Sequence, residues 1–145
     1  MIAIGSDHAG YETKESLKKY LESKGIEYKD FGTYNKDSCH YPIFAEKVAR
    51  SVAMGESEKG ILVCGSGIGV SIAANKIKGI RAALCYEPEL AEMSRKHNDA
   101  NVLCMGARFS DIKKMEEMID IFLKTDFEGG RHAERVKIIS DIENK

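Results

Sequence analysis

No stretch of this 145-residue chain is long and apolar enough to span a bilayer, which excludes a helical membrane protein. The opening MIAIGSDHAG lacks the basic flank and extended apolar run of a secretion signal and reads as a strand from its first residues. Neither sign of charge dominates: 22 Lys and Arg face 23 Asp and Glu, for a net charge of −1. That balance argues against nucleic-acid or membrane binding but permits a local basic pocket. There is no CxxC pair, and Cys39, Cys64, Cys85 and Cys104 match no zinc spacing. Cys85 and Cys104 sit in apolar runs and read as small core residues. Reduced thiols and a cytoplasmic location are therefore expected. No linker, repeat or low-complexity segment divides the chain, so residues 1–145 are expected to form one domain.

What is present is a soluble globular composition, 43% hydrophobic and 31% charged, arranged as alternating strand-like and helix-like segments. Short apolar runs at Ile2 to Gly5, Ile26 to Phe31, Ile61 to Cys64, Arg81 to Tyr86 and Val102 to Met105 predict five strands. Between them, helical patterns are predicted over Tyr11 to Ser23, Pro42 to Met54, Val70 to Lys76 and Pro88 to about His97. Gly25 suits a helix C-terminal cap, and Pro88 suits a first helical turn. Asp111 caps a further helix ending near Lys124, and a last one begins after Gly129-Gly130. Strand and helix in alternation predict an α/β fold: a Rossmann-like three-layer sandwich with a five-stranded parallel sheet in the order 2-1-3-4-5 and an extra C-terminal helix. Such sheets place ligands beyond the carboxyl ends of the strands where the order reverses, here between the first and third strands. The segments just past those ends are SDHAG (6–10) and CGSGIG (64–69).

In CGSGIGV, Gly65, Gly67 and Gly69 let the backbone turn tightly and expose its N–H groups. The helix that follows adds unpaired N–H groups and a positive dipole end, so the loop makes a nest for a negative oxygen. A GxGxxG dinucleotide fingerprint needs glycine at position 70, where Val70 stands, and the residues do not spell a GxxxxGK[ST] phosphate loop. Two readings of Cys64 remain: a small residue buried at a strand end, or a proton-carrying thiol beside an oxyanion cradle. Asp7 and His8 could cap the next helix or touch a hydroxylated substrate. Arg131 and Arg135 lie four apart on one helix face, where like charges repel unless an anion such as phosphate joins them. The alternative is a solvated face offset by Glu128 and Glu134. His132 lies elsewhere on that helix. His97 and Asn98 end the fourth helix. About ten helical residues span roughly 15 Å, so a catalytic His97 would have to serve the site of a neighbouring subunit.

Four ordered blocks, SDHAG, CGSGIGVSIAANK, RKHNDANVL and EGGRHAERV, together resemble the ribose-5-phosphate isomerase B family over nearly the whole length. The resemblance implies interconversion of ribose 5-phosphate and ribulose 5-phosphate, with no metal or other cofactor. It implies a homodimer whose active sites are shared between subunits, with pairing into a tetramer left open. Cys64 matches the cysteine base of one branch; the other branch uses a glutamate where Val70 stands. By the same resemblance His97 opens the sugar ring, and Asp7 binds the sugar and assists; the Ser66 hydroxyl is placed to relay a proton between the two oxygens. Asn98 and the amides of Gly65, Gly67, Ile68, Gly69 and Val70 hold the enediolate. His8, Arg131, Arg135 and Arg108 hold the phosphate. Ser66 replaces a threonine found in some members, which opens the question of six-carbon or unphosphorylated aldoses. The rival readings are an isomerase of allose 6-phosphate or galactose 6-phosphate, and a non-catalytic sugar-phosphate-binding module.

Overall fold

The computed structural model describes residues 1–145 and alternates strand and helix along the chain. Its strands are β1 (Ile2–Ser6), β2 (Tyr28–Asp30), β3 (Lys59–Cys64), β4 (Ala82–Leu84) and β5 (Val102–Gly106). The helices are α1 (Tyr11–Ser23), α2 (Tyr41–Ala53), α3 (Ile68–Ala74), α4 (Pro88–Asn98), α5 (Ile112–Lys124) and α6 (Arg131–Ile142). All pairings are parallel. None of the helices is long and apolar enough to cross a membrane.

Local chemistry sets the helix ends. The Asp7 carboxylate accepts the Gly10 N–H at 3.0 Å just before α1. Gly25 follows α1 in the left-handed region at φ +69°. Pro88 stands in the first turn of α4, and the Asp111 side chain accepts the Lys114 N–H at 2.8 Å to cap α5.

Period-two alternation along the strands divides the core in two. On one face Ile4, Ile61, Val63, Leu103 and Met105 pack against Leu17 and Leu21 of α1, Ala91 of α4, and Met115, Met118, Ile119 and Phe122 of α5. On the other, Ala3, Leu62, Cys64, Val102 and Cys104 pack against Val48 and Val52 of α2 and Val70 and Ala74 of α3. Helix α6 lies outside this sandwich, against α4.

The Rossmann-like parallel architecture is as expected, but one edge of the sheet is not. The strand order is β2-β1-β3-β5-β4, rather than 2-1-3-4-5. Burial explains the exchange. All five residues of β5 are buried, so it needs neighbours and helices on every side. The three residues of β4 are only half-buried, which suits a short edge strand. The reversal between β1 and β3 is unaffected: α1 leaves β1 on one face, and α3 leaves β3 on the other. The loops after β1 and β3 therefore splay apart and leave a crevice at the carboxyl edge.

Candidate active site

A cleft of about 480 Å³ opens at this crevice, lined among others by Asp7, His8, Tyr41, Cys64, Ser66 and Arg108. Gly65, Ile68 and Gly69 complete its floor. A hollow of about 300 Å³ lies at the opposite edge of the sheet, beside Met1, Ile2 and Lys59.

The thiol is held by the loop it begins. Cys64 ends β3 with its side chain 5% exposed. Gly67 takes φ +80°, a left-handed conformation that brings its N–H to the Cys64 sulfur at 3.1 Å. The start of α3 adds further N–H groups beside it. The Ser66 hydroxyl accepts the Ile68 N–H at 3.1 Å, and the Tyr86 hydroxyl donates to the Ser66 carbonyl at 2.7 Å. Tyr86 stacks on Phe109 at 5.8 Å. The end of β5 braces the loop from below: Ala107 N–H donates to the Cys64 carbonyl at 2.9 Å, and Arg108 N–H to the Gly65 carbonyl at 3.0 Å.

The β1 loop supplies the facing wall. Asp7 is 7% exposed. One of its oxygens caps the backbone at Gly10 while the other has no protein partner. Asp7 thus holds the turn before α1 and also lines the cleft. His8 Nδ1 accepts the Cys39 N–H at 3.2 Å, with the Cys39 sulfur 3.7 Å away. A ring nitrogen that accepts an amide proton carries none of its own, so neutral His8 bears its proton on Nε2.

The remaining residues predicted for the site divide into two groups. Val70 is fully buried, packed in the same core as Cys64, so its side chain does not line the cleft. Its backbone alone faces the question of binding. His97, Asn98, Arg131 and Arg135 lie outside the cleft of their own chain. The Asn98 carbonyl accepts Arg81 Nε at 3.0 Å, and Asn98 lines a separate hollow with Arg81 and Ile139. Arg131 and Arg135 stand exposed in the first turns of α6.

His97 belongs to a second cluster. Its ring stacks on His132 with centroids 4.4 Å apart and planes 14° apart. Glu128 Oε1 lies 3.6 Å from His97 Nε2 and 3.7 Å from His132 Nε2. Burial holds the His132 pKa below the usual histidine value, helped by His97 and Arg131, with Glu128 opposing them. Three ligand-type atoms within 4.8 Å of one another are a possible metal set. Arg131 and Arg135 add positive charge there, which disfavours a cation.

Tyr41, Cys39 and His132 were missed by sequence reasoning. Tyr41 precedes the Pro42 that marks a helix start, and helix starts at a carboxyl sheet edge point into the crevice. That was the available signal. Nothing in the sequence pairs Cys39 with His8, 31 residues away.

Comparison with known proteins now adds to this geometry. The profile of the Ribose/Galactose Isomerase family matches residues 2–139. This chain belongs to that family. It is 45% identical to ribose-5-phosphate isomerase B of Escherichia coli (strain K12) over 144 residues, 99% of this chain and 97% of the relative. Among solved structures, Clostridium thermocellum ribose-5-phosphate isomerase B superposes with a TM-score of 0.97 at 49% identity, covering 99% of this chain and 97% of that one. The Mycoplasma genitalium ribose-5-phosphate isomerase B, solved with bound ribulose-5-phosphate, gives a TM-score of 0.94 at 40% identity, covering 99% and 96%. This member of the ribose/galactose isomerase family therefore shares both sheet and chain length with its relatives.

Proposed function

We infer that the chain is an aldose–ketose isomerase that interconverts ribose 5-phosphate and ribulose 5-phosphate. The observation that carries the reading is the Cys64 thiol beside the amide nest at the β1/β3 crevice, in a family whose members bear that activity.

The chemistry moves a proton between C2 and C1 of the open-chain sugar. His97, with Asp7, opens the cyclic aldose. Cys64 removes the C2 proton and returns it at C1, so one thiol serves as base and then acid. The negative charge that forms on the enediolate oxygens falls among the amides of Gly65 to Val70, joined by Asn98. A missing donor of this kind costs about 2.7–4 kcal/mol of barrier. Ser66 relays a proton between the oxygens. His8, Arg108, Arg131 and Arg135 take the phosphate, whose binding energy orients the reacting end. Charge stabilisation by amides and guanidinium groups leaves no step that calls for a metal ion.

Two copies complete each site. Cys64 and Asp7 line the cleft of one chain, whereas His97, Asn98, Arg131 and Arg135 lie outside it. A homodimer brings the second set from a neighbour. The four unpaired cysteines suit the reducing cytoplasm.

The test is ribulose 5-phosphate formation by wild type and Cys64→Ala, each with and without a chelator. The expected result is activity that survives the chelator and vanishes with the thiol, while sugar-phosphate binding persists. Near-normal turnover in Cys64→Ala removes that residue from the role of base. An inactive wild type sends the search to six-carbon sugar phosphates.

A further inference from the structure

Outside the glycine-loop cleft, one group of ionisable side chains is built with more care than a solvated surface needs. His97 ends α4 and is 37% exposed, so an unsupported ring would turn freely about its side-chain bonds. Two neighbours hold it. His132 lies flat against it at 4.4 Å, and the Glu128 carboxylate stands 3.6 Å from its Nε2. The Glu128 backbone is fixed, because its N–H donates to the Lys96 carbonyl at 3.1 Å. The segment that carries Glu128 is tied down by Arg95, 7% exposed, whose Nε donates to the Thr125 carbonyl at 3.0 Å. The same guanidinium binds Asp99 and the Ala100 carbonyl, locking the end of α4.

One carboxylate oxygen faces both Nε2 atoms, so it balances one imidazolium and not two. Arg131 and Arg135 on α6 oppose positive charge on His132. The carboxylate charge 3.6 Å from Nε2 favours the tautomer with hydrogen on that nitrogen. Nε2 keeps the hydrogen, and Nδ1 becomes the atom that accepts and releases a proton.

We propose that Glu128 and His132 are positioning residues for His97: the carboxylate biases its tautomer and the stacked ring fixes its plane, so that Nδ1 can exchange a proton with the sugar during ring opening. This rests on the reading of His97 as the ring-opening group. At 3.6 Å Glu128 acts through its charge, biasing the His97 hydrogen toward Nε2. His132 gives it an apolar face and a neighbour that stays neutral when His97 is charged.

The test separates ring opening from proton transfer at carbon. Ribulose 5-phosphate carries phosphate on its C5 oxygen and closes no five-membered ring. Exchange of its C1 hydrogen with D2O therefore needs the Cys64 step but not the ring step. Net conversion of ribose 5-phosphate and this exchange are measured for His97→Asn, Glu128→Gln and His132→Phe. Glu128→Gln is expected to lower net turnover about tenfold or more while exchange stays within about twofold. It also shifts the imidazole limb of the pH–rate profile to lower pH, because the charge that favours imidazolium is gone. His132→Phe keeps the stack, removes a titrating neighbour and shifts that limb to higher pH. Parallel loss of turnover and exchange overturns the proposal, since a merely structural role predicts it. Unchanged turnover in both neighbour variants, with His97→Asn impaired, overturns it too. Unchanged turnover in His97→Asn overturns instead the ring-opening reading beneath it.

Discussion

Lys14→Met is expected to loosen the loop between β2 and α2 by an amount that can be worked from its contacts. The Lys14 side chain is fully buried. Its ammonium sits 2.7 Å from both Asp30 oxygens and 2.7 Å from the Thr33 carbonyl, with the rings of Tyr11 and Tyr34 each 5.5 Å away. Methionine preserves most of the aliphatic volume, so no large cavity forms. The Thr33 carbonyl loses a charged donor, a bond of about 1.5–3 kcal/mol, and a buried oxygen left unpaired costs about 1–3 kcal/mol. Asp30 is not stranded, because Lys18 stays at 2.9 Å and the Gly32 N–H at 2.8 Å. Against these losses, the variant no longer dehydrates an ammonium group, a relief of several kcal/mol. Breaking a buried pair costs about 3–5 kcal/mol, and the retained partners of Asp30 set the expectation at the low end, near 3 kcal/mol. At about 3 °C per kcal/mol for a chain of this size, Tm falls by roughly 9 °C. Urea unfolding reads the same loss as a lower midpoint at unchanged slope. A loss under about 1 kcal/mol refutes the reasoning, because it falls within the range of ordinary surface ion pairs.

The same cluster has an acid limit. Burial pushes the Asp30 carboxyl up, but hydrogen bonds from Lys14, Lys18 and the Gly32 amide outweigh it and hold its pKa below the usual value. A depressed carboxylate contributes stability above its unfolded value, about 3.9, and loses it as pH falls through the folded one. The gap between wild type and Lys14→Met should accordingly close in acid unfolding below about pH 4; a gap that stays constant to pH 2 speaks against the assignment. At Gly106, an added Cβ would stand 2.6 Å from the Ser66 carbonyl oxygen and 2.7 Å from its carbon. Gly106→Ala should destabilise the fold by about 1–3 kcal/mol and lower kcat with the loop displaced, and wild-type kinetics would separate β5 from the cradle. Burial pushes the Cys85 thiol up to about 11 and that of Cys104 well above the ordinary range. Iodoacetamide at neutral pH should label half-exposed Cys39 in the folded protein and reach these two only in urea, as mass spectrometry would show. Comparable folded-state labelling of Cys85 and Cys39 contradicts that.

The elements were legible because their signals are local. Apolar runs, Pro88, Gly25 and Asp111 each act within a turn of where they stand, and the glycine loop and SDHAG were placed together by topology alone. The exchange of β4 and β5 was not legible, because both runs are short and apolar and only burial on both faces distinguishes them. Val70 was read through its backbone amide, and its side chain packs in the core with Cys64. Tyr41, Cys39 and His132 depend on loop paths and on α6 folding back against α4. Such contacts leave no periodicity in the sequence.

The bracing of the glycine loop by β5 links chemistry to the order of folding. The motif from Cys64 to Gly69 is synthesised well before Gly106 and Ala107, yet the Cys64 and Gly65 carbonyls find their donors, the Ala107 and Arg108 N–H groups, only just past that later strand. Strand β5 also enters the sheet between two earlier strands, completing a long-range insertion. Such non-local closure comes late and all at once. A nascent chain released before β5 would carry every residue of the loop without the two bonds that brace it, so the cradle beside the thiol is secured only with the cooperative closure of the sheet.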